Sequence, residues 1–303
     1  MADTTKPGVA GLTGLATVLM MSTFFEDCLR LVTHWRSQIT YMSKMYSSVW
    51  PVVIASTSLL VQSSSSAAVL LGHEGIKLGA LYALLAFVVV QPMLYGETTN
   101  PKLILRSLAV VGGLMLLVWH TKEQKAAKEQ SLTPPKPSSG RMQLGARVML
   151  TLMTFLEVFV SDSFGLLSLK ASQVKSDLAT FDTDSELVAN RNYSVAMVEE
   201  MLGKEQHYSA TALYQVHMVG IVSLVLLSAF ICFGYATSIC AQLLGLVLAV
   251  WNIFAHPFWE SANPFSDLYR YYFFQTLSVV GGLLMLAVHG PGALALDIDV
   301  KNK

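Results

Sequence analysis

The sequence predicts an all-α polytopic membrane protein, with about eight transmembrane helices arranged as two tandem four-helix repeats. Hydrophobic residues make up 53% of the 303 residues and charged residues only 13%, about half the charged fraction of a typical soluble domain. The mean hydropathy is +0.51, and several apolar stretches reach the ~20 residues that a helix needs to cross a bilayer. The third observation is an internal repeat.

The repeat consists of two pairs of similar segments in the same order. Residues 107–120 (SLAVVGGLMLLVWH) match 276–289 (TLSVVGGLLMLAVH) at an offset of 169, and each copy ends in a histidine. Upstream, TFFE at 23–26 matches TFLE at 154–157 at an offset of 131. Internal repeats are common in membrane proteins. We therefore interpret the halves as copies of one unit, the second with an insert of about 38 residues (169 − 131).

Eight apolar stretches are placed as helices. In chain order they are 9–30, 50–71, 78–95, 103–119, 144–169, 210–233, 238–258 and 271–289. No small-residue cleavage site follows the first stretch, so we interpret it as an uncleaved helix and not as a signal peptide. The first and fifth helices are the least hydrophobic because each contains carboxylates. Paired glycines in the fourth and eighth are expected to let these helices approach their neighbours closely: Gly112, Gly113, Gly281 and Gly282.

The predicted domains are residues 1–120 for the first repeat, 121–143 for a linker and 144–303 for the second repeat. Six bases and two acids lie between positions 120 and 147, and such an excess of bases marks a cytosolic segment. An even helix count then places both termini in the cytosol and makes the two repeats parallel.

The insert, at about 170–209, falls on the opposite, lumenal side of the predicted topology. It contains seven acids, four bases and the sequon Asn192-Tyr193-Ser194, which predicts glycosylation of Asn192.

Carboxylates within the membrane spans are the strongest candidates for a functional site, because intramembrane charge is costly. Glu26 and Asp27 lie near the lumenal end of the first helix, and Glu157 occupies a comparable depth in the fifth. They predict a shared cavity open to the lumen, walled by aromatic residues of the eighth helix such as Tyr271 and Tyr272. Pairing of Glu26 or Asp27 with Arg30, within one helical turn, is the structural alternative.

Other classes of function lack support in the sequence. The net charge is zero and gives no nucleic-acid footprint. The three cysteines have no CxxC or metal-ligand spacing, and no phosphate loop, HExxH or GxSxG motif occurs. The sequence therefore predicts a protein that is not an enzyme and that uses no metal or cofactor.

Three strings resemble the surfeit-locus four family of endoplasmic-reticulum (ER) cargo receptors, relatives of the yeast Erv-type receptor. They are STFFEDCLRL (22–31), MQLGARVMLTLM (142–153) and YYFFQTLSVVGGLLMLAVHGPGALALD (271–297). The resemblance implies a DoxX-like helical membrane fold. It also implies a protein of the ER membrane that cycles through the ER–Golgi intermediate compartment and the cis-Golgi. Such receptors load soluble secretory cargo into COPII vesicles, and they recognise a short hydrophobic, proline-containing tripeptide at the cargo N-terminus.

The end of the chain departs in part from the dilysine signal by which animal members are retrieved through the COPI coat. Lys301 matches the third position from the end, whereas Asp299 and Val300 do not match. The insert is also longer than the family leads us to expect.

The chemistry of a cleaved cargo suits the predicted cavity, because cleavage exposes an α-ammonium group next to apolar side chains. We expect Glu26 and Asp27 to bind that ammonium. A small-solute or lipid transporter and a membrane oxidoreductase subunit are the alternatives, the latter without the His or Cys ligands of a redox centre.

Overall fold

A computed structural model describes residues 7–96, 98–99, 101–129, 140–155, 210–259, 266–292 and 294–296. These ranges contain nine α-helices and no β-strand. In chain order the helices are α1 (Pro7–Thr33), α2 (Trp35–Met42), α3 (Trp50–Leu71), α4 (Glu74–Leu94), α5 (Pro101–Glu129), α6 (Gly140–Phe155), α7 (Ala210–Phe233), α8 (Thr237–Ala255) and α9 (Ser266–His289).

Five helices in the described ranges are long and apolar enough to cross a membrane. The segments are Gly8–Thr33, Trp50–Leu71, Glu74–Leu94, Leu103–Lys128 and Ser266–His289. Shorter apolar segments in α7 and α8, Val222–Phe233 and Thr237–Ile253, coincide with the sixth and seventh predicted spans. The all-helical membrane class is therefore confirmed. The count of eight spans and the tandem repeat stay predictions, since the fifth span is described only to Phe155.

Several helix boundaries differ from those predicted by hydropathy. The fourth predicted span ends at 119, whereas α5 continues to Glu129, because Lys, Glu, Gln and Ala favour helix once the apolar stretch has ended. The eighth predicted span begins at 271, whereas α9 begins at Ser266. Helix α2 was not predicted, since its eight residues are too few and too polar to span a bilayer.

Helices α5 and α9 form the centre of the bundle. Within their most apolar windows 67% and 56% of the residues are buried, against 22–33% for α1, α3 and α4, which present apolar faces to their surroundings. Helix α9 packs along α1, and α5 packs along α6. The core of buried residues therefore runs between these four helices.

Glycines bring these central helices into close contact. A Cβ atom on Gly112 of α5 would lie 2.8 Å from the carbonyl oxygen of Ala146 in α6. A Cβ atom on Gly281 of α9 would lie 2.7 Å from the carbonyl oxygen of Ala16 in α1. Because both obstacles are backbone atoms, neither position has room for a side chain. Gly113 and Gly282 face each other where α5 crosses α9, since a Cβ on Gly282 would lie 3.1 Å from the Gly113 Cα.

Polar side chains mark the two ends of the bundle. At one end, the histidine end, His120 of α5 and His289 of α9 have ring centroids 4.0 Å apart. The fully buried Arg147 of α6 lies near the same end, where its Nη2 donates to the Leu294 carbonyl. The opposite end, the carboxylate end, contains the end of α1, α2, the end of α4 and the beginning of α9.

Candidate functional site

Two adjacent carboxylates of α1 are buried at the carboxylate end. Glu26 is 3% exposed and Asp27 is 5% exposed. A charged side chain near lipid is stable only when it faces the interior of the bundle and finds polar partners there. Adjacent helical residues point about 100° apart, so the two carboxylates face different neighbours.

Asp27 faces α4 and has both oxygens engaged. Its Oδ1 accepts a hydrogen bond from Nη2 of Arg30 at 2.8 Å. Its Oδ2 accepts one from Nε2 of Gln91 at 3.2 Å. The pairing with Arg30 that was left open as the structural alternative is therefore present for Asp27, and Gln91 fixes the carboxylate from a second helix.

Glu26 faces α9 and has one oxygen engaged. Its Oε1 accepts a hydrogen bond from Nε of Arg270 at 3.2 Å, and Nε of Arg30 lies 4.0 Å away. Its Oε2 is buried and has no hydrogen-bond partner among the described residues. A buried carboxylate oxygen without a donor is unusual, because charged groups lose most when they leave water unpaired.

An exposed ion pair connects Glu26 to the surface of the bundle. Nη2 of Arg270 lies 3.2 Å from Oδ1 of Asp267, and Nε2 of His34 lies 3.5 Å from Oδ2 of the same residue. The side chains of Asp267 and His34 are 58% and 40% exposed. These residues therefore form the mouth of the site.

Ion pairs join these side chains into one unit, which we call the acidic cluster. It consists of Glu26, Asp27, Asp267, Arg30 and Arg270. Three carboxylates against two guanidinium groups give a net charge of −1 when all are ionised (−3 + 2). The cluster can therefore accept one further positive charge.

The two tyrosines of α9 lie against arginines. The guanidinium carbon of Arg30 lies 4.8 Å from the ring centroid of Tyr271, and that of Arg106 lies 4.4 Å from the ring centroid of Tyr272. Nε2 of Gln275 donates to the Tyr271 hydroxyl at 2.6 Å. Cation–π contacts of this kind hold both parts in place, so the rings wall the cluster on its α9 side.

A buried histidine, His256, packs behind the two tyrosines of α9. Its Nδ1 lies 2.8 Å from Oδ1 of Asn252, whose Nδ2 donates to the Phe273 carbonyl at 2.9 Å. The His256 ring also meets the ring of Tyr272 edge-on, with centroids 5.8 Å apart. His256 therefore packs against the tyrosine wall and is held in place by Asn252.

The structure brings together five of the residues that the sequence singled out: Glu26, Asp27, Arg30, Tyr271 and Tyr272. The remaining carboxylate Glu157, the sequon residue Asn192 and the tail residue Lys301 lie outside the described residues. The four glycines lie at helix contacts in the middle of the bundle and do not line the cluster. Among the described residues no group of three or more His, Cys, Asp or Glu side chains is placed to hold a metal ion.

Three polar residues of the site were missed by sequence reasoning. Gln91 and Arg106 lie in apolar spans, and Arg270 directly precedes the last predicted span. The available signal was their position: each is a polar residue within about a turn or two of the predicted lumenal end of a helix. Their pairing with Asp27, Tyr272 and Glu26 depends on tertiary contacts that helix placement does not give.

Comparison with known proteins adds a family and several relatives. A sequence model of the family described as "SURF4 family" matches residues 3–171 and 186–303. The unmatched residues 172–185 fall within the predicted insert. The chain is 27% identical over 291 residues to "Surfeit locus protein 4 homolog" of Schizosaccharomyces pombe, covering 93% of this chain and 80% of that one. No solved structure matches the chain significantly.

Two further relatives come from a fly and a budding yeast. The Drosophila melanogaster "Surfeit locus protein 4 homolog" is 26% identical over 308 residues, covering 98% of this chain and 93% of that one. The Saccharomyces cerevisiae "ER-derived vesicles protein ERV29" is 26% identical over 294 residues, covering 93% and 75%. The similarity therefore extends over nearly the whole chain.

Proposed function

The chain belongs to the SURF4 family, and we propose that it is an ER cargo receptor. In this proposal it binds soluble secretory proteins in the ER lumen and loads them into COPII vesicles for transport to the Golgi. The name of the budding-yeast relative, an ER-derived vesicles protein, supports this role. The protein would then cycle between the ER membrane, the ER–Golgi intermediate compartment and the cis-Golgi.

The observation that carries the proposal is the net negative, partly unpaired acidic cluster. Cleavage of a signal peptide gives a secretory protein a new α-ammonium group, which is a compact cation with three donors. The cluster contains one more carboxylate than guanidinium groups, and Glu26 Oε2 is buried without a donor among the described residues. A cargo ammonium would supply both the missing charge and the missing hydrogen bond.

Aromatic and apolar side chains would hold the residues that follow the ammonium. Tyr271 and Tyr272 stand beside the cluster on α9. Phe273, the next residue of α9, packs against Phe258 with ring centroids 5.1 Å apart. Such a wall suits the short hydrophobic, proline-containing N-terminal segment that the family resemblance implies.

The orientation of the bundle in the membrane follows from the excess of basic residues in the linker. With the basic linker in the cytosol, the carboxylate end faces the lumen and the histidine end faces the cytosol. The linker and the tail would then be available to coat proteins, and Lys301 would be the contact for COPI retrieval. Asn192 would lie in the lumen.

The proposed fold is two parallel four-helix repeats with eight spans. Support comes from the glycine contacts of the two central helices. Gly112 meets α6 at Ala146, Met149 and Leu150, and Gly281 meets α1 at Ala16, Leu19 and Met20. The spacing of the contacted residues is the same in both sets, as expected of two related helix pairs.

Capture of native cargo tests the proposal. The full-length receptor, purified from ER membranes after reversible cross-linking, should bring down lumenal secretory proteins whose mature N-termini are apolar. A synthetic peptide with one of these N-termini should compete for binding. Recovery of cargo whose N-termini share no feature, and which the peptide does not displace, would contradict the proposed mode of recognition.

A transporter of small cationic solutes or lipids is the second candidate, because the same buried cluster would attract any small cation. Flux distinguishes the two functions. A transporter in proteoliposomes should move solute across the bilayer, whereas a receptor should bind peptide without transmembrane flux.

A further inference from the structure

Arg270 of α9 lies between two carboxylates of the acidic cluster. Its Nε donates to Oε1 of Glu26 at 3.2 Å, and its Nη2 lies 3.2 Å from Oδ1 of Asp267. Nη2 is buried and makes no hydrogen bond to the described residues, so its contact with Asp267 is an ion pair without the geometry of a hydrogen bond. The guanidinium is therefore divided between a buried carboxylate and an exposed one.

The two engaged atoms of Arg270 are a pair that can bind one carboxylate as a fork. Nε and Nη2 lie side by side on the planar guanidinium and point their N–H groups in the same direction. Oε1 of Glu26 already accepts from Nε, and Oε2 is buried without a donor among the described residues. A small rotation of the guanidinium would therefore bring Nη2 to Oε2, the same oxygen that the proposed function assigns to the cargo ammonium.

Asp267 is shared between Arg270 and a histidine at the mouth of the site. Nε2 of His34 lies 3.5 Å from Oδ2 of Asp267. On the other side of the ring, Nδ1 lies 2.9 Å from Oγ1 of Thr33, whose hydroxyl donates to the Leu29 carbonyl at 2.8 Å. These hydrogen bonds make Nδ1 the donor, so Nε2 of the neutral ring carries no proton. In this arrangement the ring can donate to Asp267 only when it is protonated.

Charged residues of three helices lie near His34. Asp267 and Arg270 belong to α9, Arg30 precedes His34 by four residues at the end of α1, and Arg36 follows it in α2. Arginine side chains stay charged at any physiological pH, whereas histidine changes its charge between about pH 5 and pH 8. Within this group His34 is therefore the cation whose charge depends on the pH of the lumen.

We propose that Arg270 is a switch between Asp267 and Glu26, and that protonation of His34 moves it onto Glu26 and releases the cargo. This inference rests on the proposed function. While His34 is neutral, Asp267 holds Nη2 of Arg270, and Oε2 of Glu26 stays available to the cargo ammonium. Protonated His34 donates to Asp267 and offsets its charge. Arg270 then forks onto both oxygens of Glu26, where Nη2 displaces the ammonium.

Arg270 and His34 thereby become positioning residues for the cargo ammonium. Protonation of His34 changes the net charge of the acidic cluster together with this histidine from −1 to 0 (−1 + 1). It also removes the unpaired oxygen, so both effects weaken the binding of a cation. The lumen of the secretory pathway becomes more acidic from the ER toward the Golgi, and the switch therefore favours loading in the first compartment and release in the later one.

Peptide affinity at two pH values tests the switch on the full-length receptor in nanodiscs. The probe is an apolar N-terminal cargo peptide with an amidated C-terminus and no titratable side chain. Wild-type receptor should bind it about three- to fivefold more weakly at about pH 6 than at about pH 7.5, the upper range for a partly exposed ion pair. The α-amino group of the peptide gains protons over this interval, which by itself would strengthen binding.

Two substitutions fix the charge of this histidine. His34→Gln should bind the peptide like wild type at about pH 7.5 and should not weaken at about pH 6. His34→Lys should bind about three- to fivefold more weakly than wild type at about pH 7.5, and its affinity should not fall further at the lower pH. His73→Gln is the matched control: His73 is an exposed histidine that directly precedes α4 at the histidine end, so this variant should keep the wild-type response to pH.

Three results would overturn the switch and leave the proposed function standing. Wild-type receptor that binds the peptide equally at both pH values has no switch. A response to pH that persists in His34→Gln comes from another group, such as Glu26 itself. Wild-type affinity in His34→Lys at the higher pH would show that a positive charge at this position does not move Arg270. If wild-type receptor binds no peptide at either pH, the proposed function fails and this inference fails with it.

Discussion

Glu26 is the residue on which the proposed binding of cargo depends most directly. One of its oxygens is bound by Arg270, and the other has no donor among the described residues. A carboxylate that served only to stabilise the fold would be expected to have both oxygens paired, as Asp27 has. The two neighbours therefore differ: Asp27 fixes Arg30 and α4, and Glu26 has the oxygen that we propose binds the cargo ammonium.

Glu26→Gln should weaken binding of an N-terminal cargo peptide by roughly a hundredfold or more. Removing one partner of a buried ion pair costs about 3–5 kcal/mol, and about 1.4 kcal/mol corresponds to a tenfold change in Kd. The variant should still fold, because the partly exposed Arg270 retains Asp267 as a partner. Isothermal titration with purified receptor measures the change.

Asp27→Asn should also weaken peptide binding, and in addition should lower the thermal stability of the receptor. The reason is that Arg30 loses its 2.8 Å partner. In cells, both variants should retain cargo in the ER while the receptor itself still reaches ER-derived vesicles, which cargo and receptor immunoblots of budded vesicles would measure.

Asp267→Asn separates direct contact with Glu26 from the net charge of the acidic cluster, which this variant reduces to zero. Its side chain is 58% exposed, and exposed ion pairs contribute only about 0–1 kcal/mol. Peptide affinity should change by less than about fivefold. An equally large loss for Asp267→Asn would mean that long-range charge, and not contact with Glu26, governs binding.

Sequence alone identified the charged members of the site on α1, because a carboxylate in an apolar stretch is conspicuous. Gln91 escaped notice because an uncharged amide barely lowers the hydropathy of a span. Its importance depends on which face of α4 is buried. That face depends on packing between helices, for which the sequence gives no measure.

At the scale of helices, the central contacts depend on glycine. Gly112→Ala and Gly281→Ala should each destabilise the receptor by about 1–3 kcal/mol, because the added methyl group meets backbone atoms at 2.8 and 2.7 Å. Thermal unfolding in detergent should show a lower Tm for both. Gly79→Ala in α4 should leave Tm unchanged or raised, since a Cβ there has no neighbour within 4 Å.

Equal losses for all three glycine variants would contradict this account of the helix contacts. In that case the effect would come from the detergent or from helix propensity and not from the close approach of α5 to α6 and of α9 to α1.

The helix contacts also suggest a different register for the repeat. Ala16 and Ala146, which meet equivalent glycines, are 130 positions apart (146 − 16), one fewer than the offset of 131 between TFFE and TFLE. At an offset of 130, Asp27 and not Glu26 corresponds to Glu157. Sequence matching could not detect this, because helix packing can shift by one residue while a short motif stays recognisable.

Helix α2 is the element that hydropathy could not predict. Its eight residues combine apolar Trp35, Ile39 and Met42 with polar neighbours. The apolar ones pack beside Ala55 of α3 and Tyr95. Such a short helix leaves no span-length apolar stretch in the sequence.

For the whole molecule, orientation in the membrane is the most general prediction. Protease added to sealed microsomes should cleave between α5 and α6, for example proteinase K within residues 130–139, because the basic linker is predicted to face the cytosol. The segment at 170–209 should be spared, and Asn192 should carry a glycan removable by endoglycosidase. The opposite protection pattern would reverse the orientation and place the acidic cluster in the cytosol.

The overall class of the protein was predictable because it depends on composition. Long apolar stretches and a low charged fraction require helices across a bilayer, and five such helices are present in the described residues. The arrangement of those helices was less accessible, since α1, the first described helix, packs along α9, the last described helix. Only the glycine pairs, in the fourth and eighth spans, hinted at it.

The most direct test of the central claim compares two forms of one cargo peptide on the wild-type receptor. One form has a free α-amino group and the other is acetylated there, which removes the charge and leaves every side chain unchanged. We predict that acetylation weakens binding roughly a hundredfold, as Glu26→Gln does. Equal affinity for the two forms would contradict the account, and would leave the carboxylates with a purely structural role in pairing Arg30 and Arg270.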